Sequence, residues 1–164
     1  MSSEKPFTIE QALTILAQTP QHIAALTADL TPAQLRTPPA PGEWSANDVL
    51  AHLRSCADIW GDCIKRLLAE DHPTLRAINP TAWIKQTDYP DLAFRPSQRA
   101  FDTQRAELLA LLESVAPEAW SRAATVTGAG APLTKSVRDY VERMARHERA
   151  HWRQLAKIGD AVRG

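Results

Sequence analysis

Residues 134–158 read TKSVRDYVERMARHERAHWRQLAKI, and the fold turns on how their apolar positions repeat. At 100° per residue, Val137, Tyr140, Val141, Met144, Leu155 and Ile158 fall within one arc of about 100°. Arg138, Glu142, Arg146, Arg149 and Arg153 lie on the opposite face, where solvation accounts for them without a function. Such a stripe marks an amphipathic helix with one side in a core. Three further segments share the period. Residues 8–30 carry Ile9, Leu13, Leu16, Ile23 and Leu30, with a bend expected at Pro20. Residues 45–70 open on Ser45 as N-cap with Asp48 three positions on, and Trp44 is placed to staple onto Val49. The next helix is expected after Pro96, carrying Phe101, Leu108, Leu112 and Val115 until Pro117 stops it. No stretch alternates as a half-buried strand does, so the expectation is one all-α domain over residues 1–164, a four-helix bundle.

The connections bear on topology. Residues 71–95 are as long as a helix and hold Pro73, Pro80 and Pro90 with Trp83, Tyr89 and Phe94, an extended crossover with aromatic side chains to pack against the bundle. A crossover of that length lets the second and third helices run parallel. TGAGAP at 127–132 reads as the mobile loop.

With 164 residues, 44% of them hydrophobic, the chain can bury a real core, and 19 basic against 19 acidic side chains give a formal net charge of zero. No long-range field draws the protein to nucleic acid or to an anionic membrane, so neither is an expected partner. There is no apolar run of membrane length and no signal-peptide pattern in MSSEKPFTIEQ, which predicts a cytoplasmic protein. Cys56 and Cys63 fall about two helical turns apart, beyond disulfide reach, and are expected as free thiols.

His147 and His151, four apart on the last helix, point both rings to one side at the spacing that binds one metal ion. His52 lies at the edge of the stripe of Val49, Cys56, Ile59, Trp60, Cys63 and Leu67. Three inward imidazoles need polar partners, and one shared divalent cation satisfies all three. His22 and His72 read as locally bonded or solvated. The run His147 to His151 also matches the H-E-x-x-H helix of zinc proteases, but that reading lacks a third ligand downstream and a strand to align a peptide. Glu148, near the apolar arc, is the candidate acceptor or proton shuttle, with a structural ion pair as its other reading. Gln154, one turn beyond His151, is the candidate to bond water or a substrate carbonyl. Three histidines leave an open, catalytic site, whereas adding Cys56, four residues after His52, closes the shell and makes a structural one. A metal-free interaction bundle is the third reading.

Pro41-Gly42-Glu43-Trp44-Ser45, Val49-Leu50-Ala51-His52-Leu53 and His147-Glu148-x-x-His151-x-x-Gln154 together resemble the DinB-like metalloenzymes, a group that includes bacillithiol transferases and resembles the mycothiol-dependent maleylpyruvate isomerases. The resemblance covers nearly the whole chain. It implies a four-helix bundle of up-down-down-up order and a zinc or nickel ion on His52, His147 and His151. It further implies a small-molecule substrate, with a low-molecular-weight thiol as cosubstrate in the transferase members. Hydrolysis and thiol transfer are both open to such a centre, and apolar surface on the first or third helix could support a homodimer.

Overall fold

The computed structural model describes residues 5–164, so residues 1–4 of the expected domain lie outside the described part. Four long helices form the bundle: α1 (Ile9–Thr27), α3 (Ala46–Ala69), α5 (Phe94–Glu113) and α6 (Val137–Arg163); α2 (Pro32–Arg36) and α4 (Pro80–Trp83) are short. α1, α3 and α6 start with one device, a capping box pairing Thr8 with Gln11, Ser45 with Asp48 and Ser136 with Asp139. α5 has no side-chain cap and begins at Phe94, ahead of Pro96. Its first turn accepts the proline, because the missing N–H has no intrahelical acceptor there.

Paired side chains give the helix directions. Phe7, Thr19 and Asp29 meet Glu142, Glu148 and Arg163 in turn, so α1 and α6 run the same way. Arg54 and Asp58 meet Ser97 and Gln104, making α3 and α5 parallel as well. Arg95 bonds Thr27 while Arg105 bonds Leu16, which sets α5 against α1. Residues 71–95 are thus the crossover between parallel α3 and α5, and its aromatics do pack: Trp83 lies on the core, Phe94 is buried, and Tyr89 donates to Asp58 at 2.5 Å under the Arg54 guanidinium.

The helical bundle stands, but three short strands join it: β1 (Thr74–Arg76), β2 (Ala123–Thr127) and β3 (Leu133–Ser136). β1 pairs parallel with β2, Thr74 opposite Thr125, and β2 pairs antiparallel with β3. Strands of three to five residues are too short for alternation to declare itself, so the sequence reading contained none. The expected loop at 127–132 is the end and turn of this hairpin, with Gly128 and Gly130 at φ +88° and +86°. Leu75 and Ala124 tie the sheet to the core beside α3 and α6.

The core is divided along the bundle. One apolar cluster holds Leu16, Ile64, Leu108, Leu112 and Met144; the other holds Ile23, Leu50, Phe101, Leu155 and Ile158. Between them on α1, α5 and α6 come buried Thr19, Arg105 and Glu148, and the three histidines of α3 and α6 fall at the same level. This polar layer carries the site.

Candidate metal centre

Glu148 fixes the register of α6. Its carboxylate accepts from the Arg105 guanidinium at 2.6 and 2.5 Å and from the Thr19 hydroxyl at 2.7 Å. A third Arg105 bond, 3.0 Å, goes to the carbonyl of Leu16, the acceptor that Pro20 leaves without its helical donor four residues on. The buried guanidinium thus takes up a proline defect in α1 and the charge of α6 together. Of the two readings of Glu148, this geometry is that of the ion pair, and its carboxylate is outside the cluster of ligand atoms.

With α6 so placed, His147 and His151 turn toward α3 and meet His52. Their ligand nitrogens all lie within 4.8 Å of one another. His147 Nε2 is 3.0 Å from Nε2 of His52 and 3.0 Å from Nε2 of His151. Nitrogens bound to one ion at about 2.0–2.1 Å are at most about 4 Å apart, so the spacing fits a shared divalent cation. The protonation state fits as well. Burial, then charge on His151, pulls His52 down to about 4; burial, His151, His52 and Arg143 pull His147 down to about 3. Burial also lowers His151, opposed by Gln154 and Glu148. All three rings are neutral at pH 7, the form that ligates. His151 Nδ1 donates to Gln154 Oε1 at 2.7 Å, which leaves its Nε2 lone pair for the ion. His147 Nδ1, in contrast, is buried without a hydrogen-bond partner among the described residues.

Cys56 approaches from one side only. Its Sγ is 3.6 Å from His52 Nε2 and 4.0 Å from His147 Nε2, but it is not in the convergent group, and burial followed by the Glu148 charge pushes the thiol up to about 12. Both cysteines are free. The remaining histidines are locally engaged: His22 stacks on Trp152 at 3.9 Å, and His72 lies 3.1 Å from the Thr125 hydroxyl.

Two indoles that the sequence reading did not assign to the site line it. Trp44, expected as a staple, places its ring 5.0 Å from that of His52 and 6.5 Å from that of His151, while remaining 39% exposed. Trp60 meets His147 edge-on at 5.0 Å. Position was the available signal: Trp44 precedes the cap of α3, and Trp60 lies two turns beyond His52 on the same stripe.

The profile of the DinB superfamily matches residues 15–155. The chain belongs to the DinB superfamily. A Geobacillus thermodenitrificans (strain NG80-2) protein named "Putative metal-dependent hydrolase" is 25% identical over 127 residues, 74% of this chain and 68% of that protein. Among solved structures, this DinB-superfamily chain is similar to YfiT from Bacillus subtilis, reported as "a probable metal-dependent hydrolase with an unusual four-helix bundle topology". The TM-score is 0.73 at 20% identity, covering 99% of this chain and 92% of YfiT, a likeness of fold. No described helix is long and apolar enough to cross a membrane.

Proposed function

We propose that the protein is a metal-dependent hydrolase of small molecules, with one zinc or nickel ion on His52, His147 and His151. The observation that carries this reading is the convergence of three neutral ring nitrogens on one point at the mid-bundle polar layer, on the side where Trp44 is exposed. A divalent ion on three nitrogens keeps open positions, lowers the pKa of bound water to about 7 and polarises a substrate oxygen. The chain's own groups do the rest. Gln154 holds the His151 tautomer through its oxygen and keeps its amide N–H groups for a substrate carbonyl. Trp44 and Trp60 supply apolar walls that strengthen electrostatic contacts inside. Glu148, held by Arg105, keeps both α6 ligands in register with His52.

The closeness of Cys56 supports a second reading, a closed and purely structural site. Cobalt substitution separates the two. An open site shows no sulfur-to-metal charge-transfer band in the protein alone, gains one on titration with a small thiol, and hydrolyses a panel of activated esters and amides only when metal is restored. A band present at the outset and lost in Cys56→Ser overturns the hydrolase reading. Transfer of the acyl or alkyl group to the added thiol in preference to water identifies the thiol-transferase chemistry instead.

A further inference from the structure

Next to the centre, a groove of about 970 Å³ runs from His147 between α3 and α6 to the underside of the small sheet. Its charge is uneven. Arg76 of β1, Lys135 of β3 and Arg143 and Arg146 of α6 line it, against two acids among the described residues, Asp139 and Glu142. Both acids are committed: Asp139 accepts from the Ser136 N–H at 2.8 Å as part of the α6 cap, and Glu142 pairs with Arg146 at 2.9 Å. Arg76, Lys135 and Arg143 have no carboxylate partner among the described residues.

The placement of these cations is built. Lys135 shares a strand face with Leu133, two residues away, so an apolar rim accompanies the charge, and exposed Ile78 continues that rim. Gly128 permits the Arg76 stem to pass: a Cβ there would meet Arg76 Cγ at 3.3 Å. Arg143 lies over the Trp60 ring at 5.1 Å, and Trp60 touches His147, so one cation is held a single indole away from the metal centre.

We propose that this groove binds the anionic group, carboxylate or phosphate, of a small substrate with an apolar body, leaving the rest of that substrate to reach the three histidines. The proposal rests on the hydrolase reading for its substrate but not for its binding site. Uncompensated cations beside an indole and an aliphatic rim match a molecule that is charged at one end and apolar along its length.

The test is a titration followed by the indole N–H resonance of Trp60, in metal-free and in zinc-loaded protein. The probes are 3-phenylpropionate, phenyl phosphate and the neutral 3-phenylpropionamide. At least one anion is expected to bind metal-free protein about tenfold or more tightly than the amide, and the better of the two names the head group. Arg76→Met, Lys135→Met and Arg143→Met combined keep the apolar stems and are expected to abolish the preference while amide affinity and zinc content stay unchanged. Equal binding of amide and anions, a preference that survives in the triple variant, or anion binding that requires zinc each overturn the proposal; the last would mean that the anion binds the ion and not the groove. Failure of the hydrolase reading leaves the metal-free titration intact, so the two outcomes are separable.

Discussion

Arg105, Glu148 and Thr19 occupy the same level of the bundle as His52, His147 and His151, yet the two groups use their polar atoms in opposite ways. In the first, each charge has a short-range partner and even the carbonyl freed by Pro20 is bonded. In the second, three ring Nε2 atoms face one another and His147 Nδ1 has no hydrogen-bond partner among the described residues. A buried polar group left unpaired costs free energy, so the first half closes on itself whereas the second is where the proposed ion would supply a shared partner for the facing nitrogens. The saturated half is there for the fold.

Substitutions on the two sides should therefore do different things. Glu148→Ala strands the Arg105 guanidinium, which is 2% exposed, and is expected to destabilise the protein by about 3–5 kcal/mol in denaturant titration. A loss under about 1 kcal/mol would show that the seam is not the structural half.

His52→Ala, His147→Ala or His151→Ala should each abolish the proposed binding of one metal ion while leaving the metal-free protein about as stable as before or slightly more so, since one desolvated imidazole is removed from a crowded polar cluster. Metal content by mass spectrometry and melting of the stripped protein check both parts. A histidine variant that keeps its metal would end the three-ligand assignment.

Gln154→Ala should weaken metal affinity by about 10- to 100-fold without unfolding the chain, because His151 loses the acceptor that fixes its tautomer. Competition with a chelator of known affinity measures it.

Acid should separate the halves as well. The folded-state values of the three histidines lie below their ordinary value near 6.5, so the unfolded chain binds more protons there and stability falls as pH drops below about 6.5, toward the value near 3 of His147. Zinc binds the folded, neutral rings and leaves the titration of the unfolded chain unchanged, so denaturant titrations across pH should show the same onset, a curve raised throughout, and a fall that continues to lower pH before it levels when zinc is present. Coincident curves with and without zinc would contradict ligation by these rings. The smallest effect belongs to Cys56→Ser, which should leave metal content unchanged, as an open three-histidine site requires.

What the sequence disclosed follows from the range of each signal. Apolar stripes and the Ser45 cap are local and place α3 to within a residue, whereas the stripe of α1 runs on to Leu30, past its end at Thr27, and the stretch read as α6 takes in Thr134 to Ser136, which belong to β3; the histidine pair of α6 is set by helical spacing alone. His52, 95 positions from His147, could be named because it shares the core-facing stripe of its own helix. Arg105 could not: its role depends on a carbonyl of α1 and a carboxylate of α6, which meet only in the assembled bundle. The sheet was hidden for a related reason, since β1 and β2 pair across about fifty residues and neither alone has enough alternation to announce a strand. Arg146, read as a solvated charge, pairs with Glu142 and lies over the Phe7 ring, a contact supplied by the segment leading into α1.

The parallel pairing of β1 with β2 has a further consequence. It fastens the two long connections of the bundle to each other, so that one wall of the groove is made of connecting chain while the histidines stay on helices. Loops tolerate exchange far better than packed helices do. The hairpin around Gly128 and Lys135 is thus the part of the proposed groove that can be rewritten without moving a ligand atom, while Trp60 and Arg143 stay fixed on the helices with the histidines. A chimera with a foreign hairpin between β2 and β3 should keep its metal stoichiometry and shift its ligand preferences, the helical cations setting what survives the exchange.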